Sequence, residues 1–153
     1  AFTSLWDNYP DSLEIPLKGK ASRAYLLMAG STNHMQCHID NGVIRIYYKD
    51  GTRDVMFLRN PDNWPPIEHI FFEDGLAFNR HTPALYRLRL KTGEISNNFG
   101  EELGFPGASR ELDGGAAVLL EMPLNPGKKL SHLVLETLSN DVVIGLMSIT
   151  LQR

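Results

Sequence analysis

The stretch VIRIYYKDGTRDVMFL, from Val43 to Leu58, decides the fold class of this chain. Two runs rich in β-branched and aromatic residues, VIRIYY and VMFL, lie on either side of KDGT. An Asp-Gly pair between two such runs is a strong short-range signal for a β-hairpin. The stretch therefore predicts two antiparallel strands joined by a tight turn.

Strand-like segments continue on both sides of this hairpin. ALYRLRL alternates apolar and polar residues and is followed by a KTG turn and EIS, which predicts a second hairpin with one buried and one solvated face. VVIGLMSITL is apolar almost throughout, which predicts a central strand buried on both faces. With these two included, the strands predicted outside the KDGT hairpin are Leu13–Leu17, Ala24–Gly30, Ala84–Leu90, Ala116–Leu124, Lys129–Leu138 and Val142–Leu151.

No segment shows a helical apolar stripe over three turns. About eight or nine mainly antiparallel strands, separated by frequent turn signals, predict an all-β fold of the β-sandwich or jelly-roll type. The length of 153 residues suits a single domain over residues 1–153. The longest irregular stretch, Gly100–Gly115, is typical of a functional or partner-facing loop.

Composition excludes several classes of protein. The formal net charge of −3 does not favour nucleic acid or an anionic membrane as a partner. No apolar run approaches the roughly 20 residues that cross a bilayer, so no membrane span is predicted. The chain starts AFTSLW, without a signal peptide or initiator methionine, and we interpret it as a processed protein or a fragment of a larger one. Cys37 is the only cysteine, so no intrachain disulfide forms.

The segment NHMQCH contains three possible metal ligands, His34, Cys37 and His38. The spacing matches no standard zinc motif, and a fourth ligand is not evident. In a strand, the two histidines would lie about 13 Å apart, too far for one ion. The acidic segment Glu73–Gly75 offers oxygen ligands for structural calcium but lacks the EF-hand pattern. No metal and no cofactor are therefore predicted.

Catalytic residues are not predicted either. A glycosidase needs two carboxylates about 5–10 Å apart, and no spacing here selects such a pair. The chain has no G-x-S-x-G motif and no phosphate-binding glycine loop. The loop carboxylates considered were Glu68, Glu73, Asp74, Glu101, Glu102, Glu111 and Asp113.

The loop NPDNWPPIEH, Asn60–His69, combines an aromatic ring with hydrogen-bonding groups. An aromatic ring can stack on the apolar face of a sugar. The three prolines of the loop restrict its backbone and so lower the entropic cost of ordering it on binding. We therefore predict a ligand site in which Trp64 stacks on a sugar while Asn63, Glu68 and His69 bind hydroxyl groups. In the alternative, Trp64 folds into the rim of the sandwich and the polar residues cap turns.

Two runs, YKDG…LRNPDNWPPIE and SNDVVIGLM, resemble a domain of unknown function in large secreted proteins of polysaccharide-degrading Gram-negative bacteria. In those proteins the domain resembles a β-sandwich module beside a six-hairpin, (α/α)-barrel glycosidase-like region. The resemblance implies a fragment of a glycan-degrading protein that is exported to the periplasm or cell surface. It also implies that catalysis belongs to another part of the parent protein.

Three functions follow as alternatives. The first is a non-catalytic accessory module that binds a glycan or oligosaccharide, which predicts exposed aromatic rings such as Trp64, Tyr47, Tyr48 or Trp6. The second is a structural module that packs against the catalytic domain of the parent protein, which predicts a large exposed apolar patch. The third is a small glycoside hydrolase, which needs two facing carboxylates and is the least supported.

Overall fold

The structure is a computed structural model that describes residues 2–3, 10–33, 35–69, 80–99 and 112–153. All regular structure in these residues is β-strand. The strands are β1 (Phe2–Thr3), β2 (Ser12–Pro16), β3 (Arg23–Ser31), β4 (Asp40–Tyr48), β5 (Arg53–Arg59), β6 (Arg87–Arg89), β7 (Ile95–Ser96), β8 (Ala116–Pro123), β9 (Leu130–Thr137) and β10 (Val142–Gln152).

These strands form two antiparallel sheets. One sheet has six strands in the order β1-β10-β3-β8-β6-β7, and the other has four in the order β2-β9-β4-β5. The predicted all-β sandwich is confirmed. The chain passes from one sheet to the other between β8 and β9 and again between β9 and β10, so the last strands join the two layers.

The predicted hairpin at KDGT is present as β4 and β5. The Tyr48 N–H donates to the carbonyl of Thr52 over 2.9 Å and closes the turn. Asp50 accepts a hydrogen bond of 3.0 Å from the Thr52 N–H. Gly51 has φ = 83°, a left-handed conformation that glycine adopts without steric cost. The turn therefore uses the Asp-Gly pair as the sequence predicts.

The main apolar core of the described residues fills the space between the sheets. Alternate residues of the central strands point into it, as the period of two requires. The six-stranded sheet contributes Leu26, Met28, Val118 and Leu120, and the four-stranded sheet contributes Ile44, Ile46, Leu133 and Leu135.

Strand β10 differs from its prediction. Val142 and Ile144 are buried, but Val143 and Met147 are exposed, so one face of the strand meets solvent. The pairing of β10 with β3 also shifts between Leu146 and Ser148. The expected burial on both faces is wrong, because the apolar residues of the second face belong to an exposed side of the sheet.

Candidate functional site

The loop that follows β5 forms backbone hydrogen bonds with the ends of two strands of the six-stranded sheet. The N–H groups of Asn63 and Trp64 donate to the carbonyl of Arg59 over 3.0 and 3.1 Å, which turns the chain out of β5. The Ile67 N–H donates to the Gly30 carbonyl at 2.7 Å, and the Ile67 carbonyl accepts from the Ala116 N–H at 2.8 Å. The loop therefore spans the ends of β3 and β8.

The side chain of Trp64 lies inside the sandwich. It is 0% exposed and belongs to the main apolar core. A ring buried in this way cannot stack on a sugar at the surface. The prediction of Trp64 as a sugar platform is corrected, because the hydrogen bonds of the loop direct the ring inward, and the alternative of a tryptophan folded into the sandwich is the observed one.

Asn63 caps the turn that leads into the loop. Its Oδ1 accepts from the Arg59 N–H at 2.7 Å, and its Nδ2 donates to the Phe57 carbonyl at 2.9 Å. Asn side chains commonly hydrogen-bond nearby backbone groups in turns. Both ends of this amide are thus engaged within the protein, which favours a structural role over the predicted contact with a ligand.

Glu68 and His69 lie side by side at the end of the loop, apart from the turn at Asn63. Glu68 accepts a hydrogen bond of 3.1 Å from the Ser31 hydroxyl. The Nε2 of His69 lies 3.9 Å from the Glu68 carboxylate. Both side chains are half-buried and keep some contact with solvent. Their binding of glycan hydroxyls stays a prediction.

Arg87 is a buried cation that the sequence did not reveal. Its Nη2 donates to the carbonyls of Pro66, Ile67 and Ala116 over 2.9, 3.2 and 3.0 Å. Its Nη1 donates to the carbonyl of His69. Burial lowers the pKa of Arg87 to about 10, so the side chain stays charged at neutral pH. The guanidinium therefore fastens the end of the loop to the six-stranded sheet.

The Arg87→Lys variant is expected to lose about 2 kcal/mol of unfolding free energy, because an ammonium group cannot reach four carbonyls and leaves buried acceptors unpaired. Urea denaturation followed by circular dichroism measures the loss. The control is Arg53→Lys at an exposed position of β5, where we expect a change within about 0.5 kcal/mol. Equal losses in the two variants would contradict the role of Arg87.

The outer side of the six-stranded sheet carries an exposed apolar surface. Leu27 of β3 pairs with Leu119 of β8 and with Ser148 of β10, and these residues alternate with core residues, so they point away from the core. The surface includes a depression of about 250 Å³. We call it the outer apolar face and define it by Tyr25, Leu27, Tyr86, Leu88, Ile95 and Leu119.

The other tyrosines considered as ligand platforms are engaged within the protein. Tyr47 stacks on His132 with the ring centroids 4.6 Å apart. Tyr48 is buried, and its hydroxyl accepts from the Asn125 N–H at 2.8 Å, while burial raises the pKa of Tyr48 to about 12. The expectation of an exposed Tyr48 is wrong, because its position in β4 faces the core. Trp6 lies outside the described residues.

Several of the possible metal ligands and catalytic carboxylates do not form a common site among the described residues. His34, Glu73, Asp74, Glu101, Glu102 and Glu111 lie outside the described residues. Asp113 forms an exposed ion pair with Lys91. The Sγ of Cys37 accepts a hydrogen bond of 3.5 Å from the side chain of Asn60. His38 is the member of NHMQCH that joins other possible metal ligands, namely Asp62 and His81.

Comparison with known proteins supplies no relative for this chain. The described residues contain no helix of the length and apolar character needed to cross a membrane. Comparisons of the sequence with protein families and curated proteins, and of the structure with solved structures, found no match. The resemblance to a secreted sandwich domain therefore stays a prediction.

Proposed function

We propose that this domain is a non-catalytic interaction module that packs against another protein domain through its outer apolar face. This is the structural role that the sequence analysis gave as its second alternative. The observation that supports it is the exposed group of Tyr86, Ile95 and Leu119 beside the depression in the six-stranded sheet. Contiguous exposed apolar surface on a soluble domain commonly marks an interaction site.

The chemistry of the face favours a protein domain with an apolar surface over a glycan. Four hydroxyl groups, those of Tyr25, Tyr86, Ser148 and Thr150, line the depression. Arg87 also lines it, but its guanidinium is bound to backbone carbonyl groups, and the remaining lining side chains are aliphatic. A sugar hydroxyl that leaves water without gaining a partner costs about 1–3 kcal/mol. An apolar protein surface meets no such cost and gains from the removal of apolar area from water.

Glycan binding is the second candidate because Tyr25 and Tyr86 both line the depression. Tyrosine rings stack on sugars as tryptophan does, and their hydroxyls can hydrogen-bond. In this candidate the aromatic contact moves from the loop at Trp64 to the six-stranded sheet. A glycan-degrading parent protein and export to the periplasm or cell surface belong to the same proposal and rest on the sequence resemblance.

The Leu119→Lys variant tests the face. We expect the wild-type domain to bind the polypeptide encoded beside it in calorimetric titration, and the variant to bind at least about tenfold more weakly because a charge is placed in the contact. Its fold should persist, because Leu119 is 40% exposed. Val55→Lys is the matched control, since Val55 is 42% exposed on the other sheet.

The outcomes separate the two candidates. Loss of binding to the neighbouring polypeptide in Leu119→Lys, with full binding in Val55→Lys, supports the proposed protein contact. Binding on a glycan array that Leu119→Lys abolishes would favour the second candidate. Absence of binding to the neighbouring polypeptide at high micromolar concentration would refute the first.

A further inference from the structure

We propose that His38, Asp62 and His81 form a binding site for a divalent first-row transition metal ion. The Nδ1 atoms of His38 and His81 lie 3.9 and 3.8 Å from the same oxygen, Oδ2 of Asp62. One ligand atom from each of the three side chains can be chosen so that all lie within 4.8 Å of one another. The site is separate from the outer apolar face and does not depend on it.

Backbone hydrogen bonds position two of the ligands. Cys37 and Asn60 form an isolated parallel bridge, and the His38 N–H donates to the Asn60 carbonyl at 2.7 Å. His38 has φ = 56°, an uncommon conformation for a residue other than glycine. Asp62 follows two residues after Asn60 in the loop. The bridge therefore brings the segment of His38 beside the segment of Asp62.

Hydrogen bonds hold Asp62 with its carboxylate facing both imidazoles. The Oδ1 of Asp62 accepts a hydrogen bond of 2.7 Å from the backbone N–H of His81. The backbone carbonyl of Asp62 accepts one of 2.8 Å from the Thr82 hydroxyl. These bonds hold the third ligand segment against the loop and direct Oδ2 toward both imidazoles. Hydrogen bonds that fix a ligand in this manner are typical of metal sites.

The donor set selects the class of ion. Two imidazole nitrogens and one carboxylate oxygen suit Zn²⁺, Fe²⁺, Co²⁺ or Ni²⁺, whereas Ca²⁺ takes six to eight oxygen ligands. Bonds of about 2.0–2.2 Å place tetrahedral ligand atoms about 3.3–3.5 Å apart. Closure therefore needs a shift of roughly half an ångström for each imidazole–carboxylate pair. Each imidazole can supply its own shift, because the side chains of His81 and His38 are 66% and 30% exposed.

Three protein ligands leave a coordination position open. Structural zinc sites use four protein ligands, whereas sites with three keep a position for water or another small ligand. The exposure of His81 gives solvent access to that position. The group thus has the composition of an accessible metal site, and its three ligands come from three separate segments of the chain.

Titration of the full chain with Zn²⁺ in metal-free buffer tests the site. We expect one equivalent to bind the wild type, and Asp62→Asn and His81→Gln to weaken binding at least about tenfold. Asparagine keeps an oxygen for the His81 N–H, so the local fold should persist. The matched control is His132→Gln, where a half-buried histidine also lies 3.9 Å from a carboxylate, that of Glu14, but lies outside the group.

Co²⁺ provides a second readout, because bound imidazole and carboxylate ligands change its visible absorption. The spectrum should change with the wild type and with His132→Gln and stay unchanged with Asp62→Asn. Absence of Zn²⁺ binding at micromolar concentration would refute the site. Binding of equal strength in Asp62→Asn, His81→Gln and the wild type would place the ion elsewhere and would also refute it.

Discussion

Replacing Trp64 with alanine is expected to lower the free energy of unfolding by about 3–5 kcal/mol. Among the described residues, the indole is the largest fully buried side chain, and it packs with residues of both sheets. Its removal exchanges those contacts for a cavity, and the surrounding strands cannot close it without breaking their pairing. The effect is therefore on stability, whereas a sugar platform at the surface would affect binding alone.

Urea denaturation monitored by circular dichroism gives this free energy. Trp64→Phe should lose less than Trp64→Ala, because phenylalanine keeps much of the volume. Trp64→Phe also removes the buried indole Nε1, which has no hydrogen-bond partner among the described residues, so its loss breaks no hydrogen bond. Met35→Ala serves as the surface control, since Met35 is 76% exposed. A loss below about 1 kcal/mol for Trp64→Ala would show that the ring is not in the core.

Replacing Gly30 with alanine should cost at least about 3 kcal/mol, at the upper end for overpacked positions. A Cβ at Gly30 would overlap the carbonyl oxygen of Val143 in the neighbouring strand β10 and would lie 2.8 Å from Cζ2 of Trp64. The carbonyl belongs to the backbone of a paired strand, so it cannot move aside as a flexible side chain does. Gly30 is thus required where the loop, β3 and β10 meet.

The same denaturation experiment measures the Gly30 effect, and Gly127→Ala is its control. Gly127 lies in an exposed turn, where the nearest atom to an added Cβ is Asn125 Oδ1 at 3.2 Å. A second substitution, Trp64→Phe, should not restore Gly30→Ala, because the overlap with the Val143 carbonyl remains. Rescue by that substitution would mean that the indole, not the strand, limits the space at Gly30.

Local patterns in the sequence predicted most of the strands of the fold. The Asp-Gly pair and its flanking runs predicted the β4–β5 hairpin, and apolar alternation predicted the strands that supply the core. Alternation does not say which face turns inward, however. In β6 the polar residue Arg87 faces the loop and the apolar residue Leu88 lies on the outer apolar face, because carbonyl groups of the loop bind the guanidinium.

The candidate sites were harder to predict because they depend on distant segments. The sequence singles out Trp64 as the aromatic ring of the loop, but it does not show that hydrogen bonds of the loop to Gly30 and Arg59 direct the ring inward. In NHMQCH the possible metal ligands are close neighbours in the sequence. His38 instead lies beside Asp62 and His81. Their spacing along the chain matches no metal-binding motif, and only folding brings the three side chains together.

The order of strands also limits how a partner can attach to the six-stranded sheet. In the described part of the chain, its edge strands β1 and β7 have two residues each. Such short edges present few backbone groups to an incoming strand, so the sheet is a poor template for extension by another chain. A partner of the outer apolar face would therefore pack on the face of the sheet and not add a strand to its edge. Its specificity would depend on the shape of the two surfaces and not on strand register.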